Sequence, residues 1–323
     1  MGVKSNSGLR LLCAGGASVD SFSGPDGETT WRVGGSVLNV AVGTARQDIP
    51  TTLATSFCAT DTAGQLIRAK LDDVGVQIAP GSDGAPHSTI AYVTLDAEAK
   101  ASYVFERYDD LPDINIRNFS HVHIGSLGAF LEPSGPKALA LIQAAHAYDV
   151  SVSYDINVRP SKMGEPETAR NIIRERINVC DIVKASDDDI AWICPERPVE
   201  SVLREWLDMG ASLAVATLGK NGAMLLGKEW DNPIYAPSLD VTVVDTVGAG
   251  DSFMAGMLAI LWQKGYIGLA DSDGTQRRHR LTELSPDIAH AVLANAIATA
   301  SLTVTRKGAY APSSAEIAQM LAN

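Results

Sequence analysis

The residues best suited to chemistry lie in one glycine-rich stretch near residue 250. The stretch from Val244 to Phe253 reads Val-Asp-Thr-Val-Gly-Ala-Gly-Asp-Ser-Phe. It follows an apolar run from Leu239 to Val244, which predicts a strand, and it precedes an apolar run from Phe253 to Trp262 with the length of a helix. We therefore predict a strand, a tight turn and a helix in succession, with the polar residues in the turn.

This predicted turn combines an anion site with a carboxylate. Gly248 and Gly250 let the backbone turn tightly and leave amide N–H groups uncovered, which together with the helix dipole favour a negative charge. Asp251 lies in the same turn, where it can cap the helix or take a proton from a group that becomes an anion. Transfer of a phosphoryl group to a hydroxyl needs this combination of base and charge stabilisation. For these residues alone, a capped helix without a catalytic role is the alternative.

Length and charge restrict the classes of protein that fit. The chain has 323 residues, of which 46% are hydrophobic and 20% charged, as in a soluble globular protein with one large domain or two unequal parts. The net charge of −12 argues against nucleic acid or an anionic membrane surface as a partner. No apolar run in the sequence has the length expected of a transmembrane helix, and we expect residues 1–8 to form a disordered tail.

The cysteines indicate a reducing compartment. Cys13, Cys58, Cys180 and Cys194 form no C-x-x-C motif, and three of them lie in or beside apolar runs. We expect buried free thiols in the cytoplasm rather than disulfides or a zinc site.

Strands alternate with helices over much of the chain. Predicted strands lie at Leu9 to Ala14, Thr52 to Ala59, His121 to Ile124, Val150 to Tyr154, Asp181 to Ala185 and Leu213 to Thr217. This alternation predicts an α/β fold with a mainly parallel sheet and helices on both faces. Polar residues cluster after the strands, where ligands bind in open α/β sheets.

A second, smaller sheet is predicted from period-two alternation. The runs Ser88 to Asp96 and Ser102 to Arg107 alternate and are joined by a polar turn around Ala97 to Lys100, which indicates a hairpin. Residues 21–33 are also suited to a hairpin arm. We expect these segments, about 21–33 and 88–108, to form a sheet separate from the main one.

Two early segments carry candidate ligands. Asp20 follows the first predicted strand and can accept hydrogen bonds from two sugar hydroxyls, although a solvated loop residue is the simpler interpretation. Gly34 and Gly35 allow close approach of the backbone to a ligand. Asn39 is polar on an otherwise apolar helix, so it requires a hydrogen-bonding partner.

Three later motifs follow predicted strands. In Asp155-x-Asn157-x-Arg159, the arginine is suited to stabilise phosphate charge. The other two motifs are Lys184-x-Ser186-x-x-Asp189, which also fits a plain acidic helix N-terminus, and Thr217-x-Gly219-x-x-Gly222. The absence of G-x-x-x-x-G-K-[ST] excludes a P-loop kinase.

Taken in order, these elements resemble the ribokinase-like (PfkB) carbohydrate kinases from about residue 9 to residue 318. The stretch D-T-x-G-A-G-D-S-F is similar to the C-terminal signature of that family, and Gly34-Gly35-x-x-x-Asn39-x-Ala41 to its N-terminal signature. Ser36-Val37-Leu38 stands where many members have smaller residues. The resemblance implies a ribokinase-like three-layer α/β fold with a β-sheet lid, and it implies ATP and Mg²⁺ as cofactors.

The resemblance also implies roles for individual residues. Asp251 would be the base, and the anion hole would comprise Gly248, Ala249 and Gly250 together with Arg159. The sugar would contact Asp20, Gly34, Gly35, Asn39, Arg107 and Asn157. The nucleotide would contact Lys184, Ser186, Thr217, Gly219, Gly222, Asn295 and Gly308. Asp189 would reach Mg²⁺ through water, and K⁺ would bind carbonyls near Asp245 to Val247 and Thr303 to Gly308.

Within the family, the sequence favours a fructokinase. Gly125-Ser126 after a strand, the D-x-N-x-R motif and Arg107 point to that branch. A 2-keto-3-deoxygluconate kinase is the next alternative, followed by a ribokinase or nucleoside kinase. A sugar-sensing protein without catalysis is an alternative from another class, which the intact anion hole and Asp251 disfavour. We expect a sugar and ATP as partners, neither nucleic acid nor membrane, and a homodimer formed through the lid.

Overall fold

The computed structural model describes residues 9–23, 29–95, 101–268 and 277–322. The predicted tail at residues 1–8 and the predicted turn at Ala97 to Lys100 lie outside the described residues. The strands are β1 (Arg10–Ala14), β2 (Ser18–Ser23), β3 (Thr29–Gly34), β4 (Thr51–Ala54), β5 (Gln77–Ile78), β6 (Ile90–Leu95), β7 (Ala101–Glu106), β8 (Phe119–Gly125), β9 (Ser151–Asp155), β10 (Ile182–Ser186), β11 (Leu213–Thr217), β12 (Ala223–Gly227) and β13 (Ile234–Ala236).

The main sheet has nine strands in the order β13-β12-β11-β10-β9-β8-β1-β4-β5. Pairs from β11 to β5 are parallel, and β12 and β13 are added antiparallel at one edge. In β1, the run from Leu11 to Ala14 is buried, as expected for a parallel strand that is covered on both faces. This confirms the predicted α/β class and its mainly parallel sheet.

The small sheet has the order β3-β2-β6-β7 and is separate from the main sheet. Strand β2 pairs antiparallel with β3 and parallel with β6, while β6 and β7 form the predicted hairpin. The prediction that Asp20 lies on a loop is wrong. Asp20 lies within β2 opposite Arg32 of β3, because the run from Ser18 to Ser23 alternates and pairs along its whole length.

Helices cover both faces of the main sheet. They are α1 (Ser36–Ala45), α2 (Thr62–Asp73), α3 (Ser134–Ala147), α4 (Pro160–Met163), α5 (Pro166–Ile177), α6 (Asp187–Ile193), α7 (Val199–Asp208), α8 (Ala249–Gln263), α9 (Pro286–Val304) and α10 (Ser314–Ala322). One apolar cluster packs α3, α5 and α7 on one face, and a second packs α1, α2, α8 and α9 on the other. The result is the three-layer architecture that the resemblance implied.

Helix α8 packs very closely against both α1 and α9. A Cβ atom on Gly43 of α1 would lie 2.6 Å from the Cβ of Ala255, and one on Gly256 would lie 2.5 Å from the Oγ1 of Thr299 of α9. Helix α9 has the length and mean hydropathy of a membrane span, but 56% of its most apolar 18-residue window is buried. Its apolar composition is therefore accounted for by packing in the core.

The strand predicted at Leu239 to Val244 is absent. These residues form no strand, and Val243 and Val244 are exposed. The amide nitrogens of Val244 and Asp245 instead donate to the carbonyl of Val304 at the end of α9. Helix α8 begins at Ala249, earlier than predicted, so Asp251 lies in its first turn.

Candidate active site

The carboxylate of Asp251 is held on both oxygens by helix α1. Its Oδ1 accepts a hydrogen bond from Ser36 Oγ at 2.7 Å, and its Oδ2 accepts one from Asn39 Nδ2 at 2.7 Å. The side chain is buried. Asp251 is therefore the hydrogen-bonding partner that the polar residue Asn39 required, and Ser36 is a contact that the sequence did not single out.

The start of α1 lies against the turn that follows β1. Gly35 has a φ of +108°, and a Cβ atom there would lie only 2.6 Å from the carbonyl oxygen of Gly16. A side chain is excluded by both the conformation and the contact. Gly34 precedes it as the last residue of β3 and pairs with Ser18. The two glycine turns thus meet beside Ser36 and Asp251.

The turn before α8 has the features of an anion hole. Gly248 has a φ of +78°, and a Cβ atom there would lie 2.6 Å from the Cβ of Ala309. The first N–H groups of a helix have no intrahelical acceptors, and the helix dipole places partial positive charge there. Ala249 N–H donates to the Thr246 carbonyl at 3.2 Å, which leaves Gly250 and Asp251 to present the next N–H groups of this turn.

A buried ion pair lies next to this turn. The Nζ of Lys184 donates to Asp155 Oδ2 at 2.8 Å and to the carbonyl of Gly250 at 3.3 Å. Burial raises the pKa of Asp155 to about 6, and the charge of Lys184 opposes that rise. Lys184, which was predicted to contact the nucleotide, therefore holds the backbone of the turn before α8.

The loop after β9 connects Arg159 to Asp251 through hydrogen bonds. Asn157 has a φ of +44°, a left-handed conformation that asparagine tolerates better than most residues. Its Nδ2 donates to Ser36 Oγ at 2.9 Å, and its Oδ1 accepts from Arg159 at 2.5 Å. A continuous chain thus runs from Arg159 through Asn157 and Ser36 to the carboxylate of Asp251.

Ser186 and Asp189 form a capping box at the start of α6. Ser186 Oγ accepts from the Asp189 amide at 3.0 Å, and Asp189 Oδ2 accepts from the Ser186 amide at 2.9 Å. The other carboxylate oxygen, Oδ1, accepts from the Val158 amide at 2.8 Å. Both oxygens of Asp189 therefore hold backbone, and they fix the loop that carries Asn157 and Arg159.

Three residues predicted to contact the nucleotide lie at the β11–β12 turn. Thr217 ends β11, and Gly219 and Gly222 have φ values of +54° and +91°. A Cβ atom on Gly222 would lie 2.0 Å from the Ala236 carbonyl oxygen, so close packing on β13 alone requires this glycine. A Cβ atom on Gly219 would meet open space.

Asp245 connects the turn before α8 to the loop after α9. Its Oδ1 accepts from the Val247 amide at 3.0 Å and its Oδ2 from the Gly308 amide at 2.8 Å. These hydrogen bonds lower the pKa of Asp245. The side chain thus joins the two segments whose carbonyls were predicted to hold K⁺.

The structure does not bring Asn295 to this cluster. Its Nδ2 donates to Gln47 Oε1 at 3.1 Å and to the Gly256 carbonyl at 2.8 Å, and the residue is buried. It therefore holds α9 against α8 and the end of α1. We correct its assignment from nucleotide contact to packing contact.

Charged residues of opposite sign lie in and beside the small sheet. Burial raises the pKa of Asp20, and the charge of Arg32 opposes that rise. Arg107, which follows β7, forms an ion pair with Asp109 at 3.0 Å. Burial also raises the pKa of Asp109, against the effect of Arg107. Asp109 is a further charged residue beside Arg107, where the sequence predicts that it opposes an anionic ligand.

The arrangement fits a phosphorylated nucleotide better than a protein-bound metal. An N-terminal helix turn, Arg159 and the nearby charge of Lys184 suit an anion. Among the described residues, no group of three His, Cys, Asp or Glu side chains is placed to hold a metal ion. Two cavities of about 590 and 480 Å³ lie at the opposite, amino ends of β1 and β10.

A carboxylate beside a helix N-terminus, connected to an arginine through hydrogen bonds, is an arrangement suited to phosphoryl transfer. The family model described as pfkB family carbohydrate kinase matches residues 22–316. The chain belongs to this family and is an ATP-dependent carbohydrate kinase.

Individual relatives agree with this family. The chain is 34% identical over 267 residues to a fructokinase from Rhizobium leguminosarum bv. trifolii, covering 78% of this chain and 79% of the relative. It is 31% identical over 240 residues to an ATP-dependent 6-phosphofructokinase from Thermoanaerobacterium thermosaccharolyticum, covering 72% and 73%. The fold matches a double mutant of the fructokinase from Vibrio cholerae O395, solved with fructose, ADP and a potassium ion, with a TM-score of 0.78, 22% identity, and coverage of 98% and 100%.

Proposed function

We propose that this kinase phosphorylates a primary hydroxyl of fructose or a similar neutral ketose. The observation that carries the proposal is the position of the Asp251 carboxylate, which lies in the first turn of α8 and is held by Ser36 and Asn39. A base at that position lies beside the N–H groups that would hydrogen-bond to the phosphoryl oxygens during the transfer. The fructokinase relative supports the choice of sugar.

In the proposed reaction, the sugar hydroxyl oxygen forms a bond to the γ-phosphorus of ATP, and the bond from that phosphorus to the leaving ADP oxygen breaks. Asp251 takes the hydroxyl proton. The N–H groups of Gly250 and Asp251 and the guanidinium of Arg159 stabilise the charge on the moving phosphoryl group, whereas the Ala249 N–H of the predicted anion hole already donates to Thr246. Lys184 keeps the turn in place through the Gly250 carbonyl.

The sugar would lie between the small sheet and the start of α1. Asp20 and Asn39 offer an acceptor and a donor to its hydroxyl groups, and the paired glycines Gly34 and Gly35 let it approach the backbone. The small sheet then acts as a lid over the sugar. Asn157 would lie on the same side of the sugar as the start of α1, because it is hydrogen-bonded to Ser36.

ATP would lie along the carboxyl ends of β10 and β11, with Ser186, Thr217, Gly219, Gly222 and Gly308 near it. Mg²⁺ would be bound by the ATP phosphates and would neutralise the charge that develops on them. Asp189 would act on that ion only through water, because both of its carboxylate oxygens accept backbone hydrogen bonds.

Potassium is a further element of the proposal. Asp245 joins the two segments that would supply carbonyl ligands, at Asp245 to Val247 and at Thr303 to Gly308. An ion bound there would order the anion-hole turn. We expect K⁺ to raise kcat over a buffer in which a large organic cation replaces it. Equal rates in the two buffers would contradict the proposed K⁺ site.

The small sheet also offers a surface for a second copy of the chain. Trp31 and Val104 on its strands are 38% and 64% exposed. We propose a homodimer formed through this sheet, in a reducing cytoplasm where the four cysteines stay free. Light scattering of Trp31→Glu and wild-type protein tests the dimer.

One substrate screen tests the proposed function. Rates with ATP are compared for fructose, ribose, 2-keto-3-deoxygluconate, fructose 6-phosphate and a nucleoside. Fructose or another neutral ketose should give the highest kcat/KM. A sugar acid or a nucleoside as the best acceptor would replace the assignment, and no transfer to any acceptor would support a sensor.

A further inference from the structure

We propose that Asp109 selects neutral sugars by placing a carboxylate, paired with Arg107, at the end of the sugar cleft remote from Asp251. The inference rests on the proposed function and names the class of acceptor. Hydroxyl groups would donate to Asp109, whereas a phosphate or carboxylate at that end would meet a negative charge. The same residue keeps Arg107 from serving as an anion site.

The position of Asp109 is given by its contact with the turn after β1. Its Oδ1 lies 3.3 Å and its Oδ2 3.6 Å from the place that a Cβ atom on Gly16 would occupy. The carbonyl of the same Gly16 lies against Gly35, and the next residue, Ser36, donates to Asp251. Asp109 thus lies against one of the two glycine turns, and Asp251 is hydrogen-bonded to the residue that follows the other.

The backbone before Asp109 is fixed from both sides. The Tyr108 amide donates to Thr89 Oγ1 at 3.1 Å, and its carbonyl accepts from the same hydroxyl at 2.7 Å. Ser56 Oγ accepts from the Asp110 amide at 2.9 Å. The direction of the Asp109 side chain is therefore set by the fold rather than by its own flexibility.

The charge balance favours a polar, uncharged acceptor. The side chain of Asp109 is 11% exposed, and that of Arg107 is 31% exposed and lies 3.0 Å away. A mostly buried carboxylate is costly unless it is paired and hydrogen-bonded, so its free lone pairs suit hydroxyl donors. A second anion beside it would add repulsion in a poorly solvated place.

The neighbouring residue Asp110 provides a matched control. It carries the same charge one residue further on, but its Oδ1 lies 2.7 Å from Lys137 Nζ and accepts from the Leu111 amide. Its carboxylate is therefore paired with a lysine of α3 rather than with Arg107. Loss of its charge should leave acceptor choice unchanged.

The test compares fructose with fructose 6-phosphate, in which a phosphate occupies one of the two terminal positions. For Asp109→Asn we expect the ratio of kcat/KM for fructose 6-phosphate to that for fructose to rise at least tenfold. Asp110→Asn should leave this ratio within twofold. In Asp109→Asn/Arg107→Gln the gain should be smaller than in Asp109→Asn, because the freed guanidinium is lost and only the removal of the Asp109 charge remains. General damage to the fold would lower kcat/KM for both sugars without raising their ratio.

Each outcome decides between the hypotheses. An unchanged ratio in Asp109→Asn, and in Asp109→Ser if the asparagine variant unfolds, overturns the role of Asp109 even if fructose is the best acceptor. If the wild-type enzyme prefers another neutral sugar, only the assignment of fructose as the acceptor is refuted. The ratio of kcat/KM values is then measured with that sugar in place of fructose. A wild-type enzyme that prefers fructose 6-phosphate overturns both proposals.

Discussion

Lys184 and Asp155 form an ion pair within the main sheet, with Nζ 2.8 Å from Oδ2 and both side chains almost fully buried. The same Nζ reaches the Gly250 carbonyl of the anion-hole turn. A lysine in the middle of a sheet is costly to bury unless it is paired. Here the paired lysine connects the turn before α8 to the centre of the fold.

Replacing Lys184 by methionine should therefore reduce both stability and rate. Removal of one partner of a buried pair costs about 3–5 kcal/mol. The double variant Lys184→Met/Asp155→Asn removes both charges, so it should recover stability but not kcat, because the contact to Gly250 is still missing. Urea unfolding and steady-state kinetics check the two results. Full recovery of kcat in the double variant would contradict a positioning role for Lys184.

Asp251→Asn should lower kcat by about 10²-fold or more, the scale of a lost general base. The amide retains an oxygen that can accept from Ser36, so the fold and ATP affinity should change little. Kinetics and ATP titration give the two values. Asp240→Asn is the control, since Asp240 is exposed on the segment before the turn. A near-normal kcat in Asp251→Asn would exclude Asp251 as the base.

Ser36→Ala should lower kcat about 10- to 100-fold. A hydrogen bond to a charged group contributes about 1.5–3 kcal/mol, and each 1.4 kcal/mol corresponds to about tenfold in rate. The substitution also removes the acceptor of Asn157. Ser36→Thr keeps the hydroxyl and should restore most of the rate. If alanine and threonine behave alike, the hydroxyl does not orient Asp251.

Two buried histidines should make stability depend on pH. His121 and His123 lie in β8 of the main sheet, hydrogen-bonded to Ser151 and Ser153 of β9, and burial lowers the pKa of each from 6.5 to about 3. The unfolded chain therefore binds more protons below pH 6.5. Each histidine contributes stability that is present above pH 6.5 and is lost as pH falls towards 3, at about 1.4 kcal/mol per pH unit.

The difference in unfolding free energy between the wild type and His123→Gln measures this contribution. It should shrink by about 1.4 kcal/mol between pH 7.5 and pH 5.5. His290→Gln is the control, because His290 is exposed on α9. Parallel stability curves for the wild type and His123→Gln would show that His123 does not remain neutral in the folded protein.

The motifs and the α/β class were predictable because they depend on local pattern. Buried apolar strands and the glycine turns are visible in sequence, and Asp251 and Asn39 were both singled out. The contacts that Ser36 and Asp109 make could not be predicted, because each contact joins segments that meet only in the folded chain. Asn295 was misassigned since a buried polar residue between two helices resembles a ligand contact in sequence. Leu239 to Val244 has strand-like composition but does not pair with the edge of the sheet.

The close packing of α8 between α1 and α9 has a consequence for how this enzyme can change. A side chain larger than glycine at Gly43 or Gly256 would displace α8, and with it Asp251 and the anion hole. Arg107 and Asp109 lie outside this packed layer, beside the small sheet. On the proposal that Asp109 selects the acceptor, substitutions there would change acceptor specificity, whereas α8 tolerates almost no change in volume along these two contacts.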